Sequence, residues 1–120
     1  MSDAIVGVDC DIWIPAARPD IINERNVDRL RTRLVVEGAN IPITPAAEKK
    51  LHARRILCIP DFIANAGGVI VSYFEWVQNM QCFFWEETEV NRHLERIMVE
   101  AFQSVWQTSQ DKRVSMRLGA

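Results

Sequence analysis

The 120-residue sequence lacks the features of a fibrous, disulfide-stapled or membrane-spanning protein. Five glycines and five prolines exclude a collagen-like or low-complexity chain. The three cysteines, Cys10, Cys58 and Cys82, are an odd number at wide spacings in apolar sequence, which argues against a disulfide framework or a paired metal-ligand motif. We interpret them as buried thiols in a reducing compartment. The longest apolar stretch, 62–74, is interrupted by polar residues and is too short to cross a bilayer.

The chain also lacks an excess of basic residues. It has 14 Lys and Arg against 16 Asp and Glu, a formal net charge of −2. Nucleic acids and anionic membranes both favour basic surfaces, so we expect neither as a partner. The first residues show no basic region followed by an apolar segment, and therefore no signal peptide. These observations predict a soluble, cytoplasmic protein.

Common catalytic and phosphate-binding signals are missing as well. Neither G-x-G-x-x-G nor G-x-x-x-x-G-K-[ST] occurs. His52 and His93 lie in polar segments and are expected on the surface, and the lysines lie in charged segments. We therefore expect no catalytic residue and no metal site in this chain.

The chain does contain three short runs rich in β-branched and bulky apolar residues, at 10–15, 33–37 and 56–60. Each is almost continuously apolar, which is typical of strands buried on both faces of a parallel sheet. Asp20 is a possible N-cap for a helix over about 21–30, and Thr44 followed by Pro45 predicts the start of another. Residues 10–61 thus predict a β-α-β-α-β unit, which is half of a doubly wound α/β fold.

Two long helices are predicted after this unit, over about 69–84 and 87–110. The first has apolar residues on one side, and four aromatic residues near its end are interpreted as core or interface anchors. The apolar positions are Val69, Tyr73, Trp76, Val77, Met80 and Phe84, and the aromatic anchors are Trp76, Phe83, Phe84 and Trp85. No linker divides the chain, so we expect one α/β domain over residues 1–120.

Small and amide residues follow each predicted strand: 16–17, 38–40 and 65–68. Ligands of open parallel sheets bind at the carboxyl ends of the strands, so these residues could form one wall of a nucleotide site. They could equally be turn residues, and spacing alone favours that interpretation. The pair Gly67-Gly68 could expose amides to an anion or, as the pattern favours, could let a helix begin against a neighbouring backbone.

Several motifs taken together resemble the glutamate dehydrogenases of the Glu/Leu/Phe/Val dehydrogenase family. They keep the family's order and cover nearly the whole chain: 10–17 (CDIWIPAA), 36–40 (VEGAN), 60–61 (PD), 64–69 (ANAGGV), 72–76 (SYFEW) and 114–118 (VSMRL). The resemblance implies the second half of a Rossmann-like domain that binds NAD or NADP. The family's dinucleotide fingerprint and its substrate domain, with a catalytic lysine and aspartate, would precede Met1.

The resemblance also implies roles for individual residues. Ala16 and Ala17 would line the nicotinamide–ribose region, and Asn40 and Asn65 would lie beside the nicotinamide and the substrate. Residues 18–20 (RPD) depart from the family's acidic or amide residues, which affects cofactor contacts at that turn.

On the substrate side, Val69 and Ser72 would face glutamate or 2-oxoglutarate, with the Ser72 hydroxyl bonding the γ-carboxylate. The family implies a homo-oligomer, a hexamer. We expect the isolated chain to be inactive without the missing domain. The alternative is a non-catalytic half-domain that pairs through its exposed strand 10–15 with itself or with a full-length subunit.

Overall fold

The structure, a computed structural model, describes residues 3–120, in which three parallel strands form one sheet. The strands are β1 (Ile12–Trp13), β2 (Leu34–Val36) and β3 (Leu57–Ile59), and their spatial order is β1-β2-β3. In this register Trp13 pairs with Val35, and Val35 pairs with Cys58. The predicted α/β class and parallel sheet are confirmed, with strands two to four residues shorter than the apolar runs.

The crossover between β2 and β3 is the α-helix that the sequence predicts. Helix α1 (Pro45–Ala53) has Thr44 as its N-cap, and the Thr44 hydroxyl accepts a hydrogen bond from the Ala47 N–H at 3.3 Å. Pro45 occupies the first turn, where backbone N–H groups have no acceptor within the helix, so the missing N–H of proline costs no hydrogen bond. Glu48 adds a negative charge near the positive end of the helix dipole.

The predicted helix over 21–30 is wrong. This crossover is irregular and contains only a 3-10 turn at Val27–Arg29. The buried Asn26 side chain accepts a hydrogen bond from the Asn23 N–H and donates one to the Ile21 carbonyl, both at 2.9 Å. Side-chain bonds of this kind compete with helical backbone pairing. Asp20 does not cap a helix, because it adopts a left-handed φ of 52° and its N–H donates to the Ile41 carbonyl.

The hydrophobic core packs this irregular crossover and α1 against the sheet. Its fully buried apolar members are Ile22, Val27, Leu30, Val35, Ala47 and Leu51. Trp13 and Cys58 pack against them and are partly buried. Val35 of the central strand β2 is therefore the most deeply buried strand residue of this core.

The rest of the described chain is helical, in four segments. These are α2 (Asp61–Ala64), α3 (Ala66–Gln81), α4 (Glu87–Lys112) and α5 (Met116–Gly119). The two long helices are confirmed, although α3 begins and ends three residues earlier than predicted and α4 ends two residues later. No helix among residues 3–120 combines the length and apolar character needed to cross a bilayer.

The predicted apolar side of α3 does not form the core. Val69, Tyr73, Trp76, Met80 and Phe84 are all more than half exposed. The buried residue of α3 is instead Phe74, which is not among the predicted apolar positions. Helical spacing identifies an apolar side, but it does not identify what covers that side.

Phe74 of α3, Trp85 of the α3–α4 connection and His93 of α4 form a ring cluster. The Phe74 ring lies 5.6 Å from the Trp85 ring, and the His93 ring lies 5.3 Å from Trp85. His93 is therefore half-buried, not on the surface as expected. Phe83, predicted as an anchor, is 65% exposed in this chain.

The cysteines differ from one another in exposure. Cys10 and Cys58 are partly buried, but Cys82 is exposed and ends α3 in a left-handed conformation. The interpretation of all three as buried thiols is therefore wrong for Cys82.

Candidate functional site

The loops that follow the three strands meet at one edge of the sheet and form a shallow concavity of about 520 Å³. All four residues predicted to bind the cofactor line it. The complete lining is Ala16, Ala17, Arg18, Pro19, Gly38, Ala39, Asn40 and Asn65. The carboxyl ends of parallel strands are where open α/β sheets bind ligands, so both the place and the residues fit such a site.

The floor of the concavity depends on close contact between the loops after β1 and β2. The Ala39 N–H donates to the Pro15 carbonyl at 2.8 Å. A Cβ at Gly38 would lie 3.2 Å from the Cβ of Ala16, so a side chain at position 38 would push these loops apart. The absence of side-chain bulk at 38 and the methyl groups at 16 and 17 leave a flat, low floor.

Two asparagines form one rim. The Asn65 Nδ2 donates to the Asn40 Oδ1 at 2.7 Å and to the Gly38 carbonyl at 3.4 Å. Within residues 3–120, Asn40 Nδ2 and Asn65 Oδ1 make no hydrogen bond in this arrangement. One donor and one acceptor therefore remain available to a ligand amide.

Arg18 lies on the same concavity with an exposed side chain. It occupies the turn at which the sequence departs from the resembling family. Its guanidinium adds a permanent positive charge beside the strand ends.

Val69 and Ser72 lie outside this lining, on the first two turns of α3. Asn65 precedes α3 directly, so residues 65, 69 and 72 follow one side of the helix. Val69 is 71% exposed and Ser72 is exposed. Both side chains are thus free to contact a molecule that also reaches Asn65.

The glycines at the start of α3 have no close backbone neighbour in the described chain. A Cβ at Gly68 would meet no atom within 4 Å, and one at Gly67 would only touch a Leu94 methyl group at 3.9 Å. The interpretation that they admit a neighbouring backbone is therefore wrong for residues 3–120.

Beneath the rim lies an ionic cluster that the sequence analysis missed. Arg117 of α5 donates through Nη2 to Glu37, through Nη1 to Asp61 at 3.1 Å, and its Nε contacts Glu48 at 3.2 Å. Glu37 directly precedes Gly38, and Asp61 begins α2, which ends just before Asn65. No local pattern predicts this cluster, because its members come from four segments of the chain, separated by up to 80 residues.

The cluster shifts the acidity of its members in opposite directions. Burial raises the pKa of Glu37 despite the Arg117 charge, and the Glu37 Oε1 has no hydrogen-bond partner within the described chain. Burial also acts to raise the pKa of Asp61, but hydrogen bonds from the Ile41 and Phe62 N–H groups, together with Arg117, hold it below its usual value. Burial acts to lower the pKa of Arg117, but the three carboxylates outweigh it and hold this pKa above its usual value.

A larger cavity of about 880 Å³ lies elsewhere, between α1, β3 and the end of α4. None of the residues predicted to bind the cofactor or the substrate lines this cavity. Cys58 does line it, and burial raises the pKa of this thiol to about 12, so it stays protonated near neutral pH. Residues 3–120 also bring no three potential ligands together for a metal ion.

A parallel sheet with its concavity at the carboxyl strand ends defines a Rossmann-like α/β protein. The family model described as Glutamate/Leucine/Phenylalanine/Valine dehydrogenase matches residues 1–120. The chain belongs to this family.

Relatives with curated names are glutamate dehydrogenases of both cofactor types. The chain is 48% identical over 113 residues to the NAD-specific glutamate dehydrogenase of Staphylococcus aureus, covering 94% of this chain and 27% of that protein. It is 54% identical over 97 residues to the NADP(+)-dependent glutamate dehydrogenase of Pyrobaculum calidifontis, covering 81% and 23%. The chain therefore spans about a quarter of the length of the curated relatives that it matches.

The structure of the chain is also similar to that of a solved glutamate dehydrogenase. The hetero-hexameric glutamate dehydrogenase of Thermus thermophilus superimposes with a TM-score of 0.92 at 28% identity, over 98% of this chain and 28% of that one. The Rossmann-like interpretation of the sequence is confirmed.

Proposed function

We propose that this chain forms the second half of the nucleotide-binding domain of an NAD(P)-dependent glutamate dehydrogenase. The reaction is the oxidation of L-glutamate by NAD(P)+ and water to 2-oxoglutarate, ammonia and NAD(P)H. The observation that supports this most is the grouping of Ala16, Ala17, Asn40 and Asn65 in one concavity at the strand ends. The relatives include NAD-specific and NADP(+)-dependent enzymes, so we propose either nucleotide as cofactor.

The residues of the concavity fit a nicotinamide. The close approach of Gly38 and Ala16 gives a floor on which a flat ring can lie. Asn40 Nδ2 and Asn65 Oδ1 can bind the donor and the acceptor of a carboxamide. When bound, the nucleotide supplies the hydride acceptor, while this chain orients the ring and excludes water from one of its faces.

The start of α3 fits the substrate. The Ser72 hydroxyl can donate a hydrogen bond to the side-chain carboxylate of glutamate, and Val69 can pack against its methylene groups. This hydroxyl gives a side-chain carboxylate a hydrogen-bond partner that an apolar side chain cannot use, which favours glutamate over leucine or phenylalanine. The open space beside Gly68 leaves room for that approach.

The proton chemistry lies outside this chain in our proposal. Among residues 3–120, the site residues are alanines, amides, a valine, a serine and Arg18, none of which is a general base at neutral pH. The chain alone is therefore expected to show no turnover.

A chimaera tests the proposal. The 113-residue matching segment of the S. aureus enzyme is replaced by this chain, and glutamate-dependent NADH formation is measured beside the 120-residue chain alone. The chimaera should be active and the chain inactive. Asn65→Ala should abolish most activity, whereas Asn91→Ala, an exposed asparagine of α4, should not. Turnover by the chain alone, or an assembled but inactive chimaera, would contradict the proposal.

The alternative of a half-domain that pairs through its strand edge also has structural support. β1 has one strand neighbour in the described sheet. Ile12 of β1 is 53% exposed, and Ile14, which follows β1, is 60% exposed. Such an edge favours pairing with another chain. Light scattering of the isolated chain should then show a dimer that Ile14→Lys dissociates and Val99→Lys, on α4, does not. A monomer at all concentrations would exclude this alternative.

A further inference from the structure

The geometry of the asparagine rim needs support from beneath. The bond between Asn65 and Asn40 is exposed to water. Water competes for both amides, so this bond contributes little to holding the two loops at a fixed separation. Since a nicotinamide would contact both side chains, something else must fix their distance.

Two carboxylates lie directly below the rim and join the loops. The Asp61 Oδ2 accepts the Ile41 N–H at 2.6 Å, next to Asn40 in the chain. The Glu37 Oε2 accepts the Asp61 N–H at 3.2 Å. Glu37 leads into the loop that carries Asn40, and Asp61 leads through one helical turn to Asn65. Asp61 is therefore hydrogen-bonded to the loop that carries Asn40, and Glu37 is hydrogen-bonded to the segment that leads to Asn65.

When both are ionised, these two carboxylates repel each other unless a cation lies between them. Both are buried, with Glu37 at 1% and Asp61 at 7% exposure. Both contact the same guanidinium and therefore lie close together, and like charges that are close repel strongly in a region of low dielectric. Arg117 lies between them, and its planar fork places one Nη on each carboxylate. In the described chain, no other cationic side chain contacts either of them.

We propose that Arg117 is a positioning residue of the cofactor site. Through Glu37 and Asp61 it sets the separation of the two loops that carry Asn40 and Asn65. This inference rests on the proposed function for its consequence, cofactor binding. A purely structural role is the competing explanation: Arg117 would then attach the short α5 to the protein and have no effect on the rim.

The side-chain amides of the rim give a readout that does not depend on cofactor. In 15N-labelled chain, the Asn40 and Asn65 side-chain NMR signals and their hydrogen exchange are compared between wild type, Arg117→Gln and Arg117→Lys. Both signals should shift and the Asn65 amide should exchange several-fold faster in Arg117→Gln. Arg117→Lys keeps the charge but cannot fork between two carboxylates, so it should show a smaller change in the same direction. If Arg117→Gln does not fold, the comparison of Arg117→Lys with wild type provides the test.

Two matched variants separate positioning from general loss of stability. Arg113→Gln removes an exposed arginine four residues away that has no ion-pair partner in the described chain. Val27→Ala lowers the melting temperature through a cavity in the core, away from the rim. Neither should move the two asparagine signals. If Arg117→Gln lowers the melting temperature as Val27→Ala does and leaves the asparagine signals unchanged, the inference is overturned.

NADH titration of the same variants in the S. aureus chimaera distinguishes this inference from the proposed function. Weaker binding in Arg117→Gln than in Val27→Ala, with shifted asparagine signals in the chain, supports both. Shifted signals without NADH binding by the chimaera that carries the wild-type chain support the positioning role and count against the proposed function. Equal NADH binding in all variants, with unmoved signals, overturns the positioning role alone.

Discussion

Gly38 and Ala16 come together at the floor of the concavity at the strand ends, where a Cβ on residue 38 would lie 3.2 Å from the Ala16 Cβ. Carbon atoms normally pack at about 3.5–4.0 Å, so this contact has no room for a side chain. Gly38 has no positive φ, and the requirement for glycine at this position is therefore one of space.

Gly38→Ala should therefore spread the loops after β1 and β2. We expect a loss of about 1–3 kcal/mol in the free energy of unfolding, typical of overpacking, and weaker NADH binding. Gly68→Ala is the matched control, since its Cβ meets no atom within 4 Å and it lies within α3. This control should be neutral or stabilising by about 0.5–1 kcal/mol. Thermal denaturation of both variants checks the prediction, and equal stability of the two would contradict it.

The ionic cluster predicts opposite pH dependences for two conservative substitutions. The folded-state pKa of Asp61 is lowered, so its carboxylate adds stability above the unfolded pKa, and this is lost as the pH falls through the folded value. The folded-state pKa of Glu37 is raised, so its contribution is full below the unfolded pKa and declines as the pH rises through the folded value.

The advantage of wild type over Asp61→Asn should therefore shrink on acidification below about pH 4, the usual range of an aspartate. The advantage of wild type over Glu37→Gln should instead shrink as the pH rises above about 4–5, the usual range of a glutamate. Urea unfolding between pH 3 and pH 8 measures both differences. Parallel pH dependences for the two variants would show that the assigned shifts are wrong.

The parts of the fold that depend on neighbouring residues could be predicted from the sequence. Thr44 and Pro45 start α1 because an N-cap and a first-turn proline act within one helical turn. The three apolar runs predict strands because burial on both faces needs continuous apolar sequence. The proposed roles of Asn40 and Asn65 follow from a family resemblance, and the structure brings the two residues together at one edge of the sheet.

What the sequence could not reveal depends on competing side-chain hydrogen bonds and on partners distant in the chain. The helix expected at 21–30 is replaced by side-chain bonds of Asn26 and by pairing of Asp20 with Ile41. The contact between Arg117 and Glu37 joins residues 80 positions apart. The apolar side of α3, including Trp76, is recognisable from its spacing, but its exposure is not, because spacing carries no information about what covers a helix.

The cysteines should differ strongly in their reaction with iodoacetamide. Cys82 is exposed, whereas burial raises the pKa of Cys58 to about 12 and leaves almost no thiolate at pH 8. Mass spectrometry of the native chain should find Cys82 modified first and Cys58 unmodified until the protein unfolds. In Cys82→Ser the fast phase should disappear. Rapid modification of Cys58 in folded protein would contradict the burial seen here.

Ser72 should act on the affinity for glutamate more than on the affinity for the nucleotide. Its side chain is exposed one turn beyond Val69, on the side of α3 that follows Asn65, and in our proposal its hydroxyl bonds the substrate carboxylate. A hydrogen bond to a charged group contributes about 1.5–3 kcal/mol, so Ser72→Ala in the S. aureus chimaera should lower kcat/KM for glutamate by about 10- to 100-fold. The KM for NAD+ should stay within about twofold, because that change corresponds to less than half of one such bond. Ser104→Ala, an exposed serine of α4, should change neither constant. If Ser72→Ala instead raised the KM for NAD+ and left glutamate unaffected, the hydroxyl would belong to the cofactor side of the site.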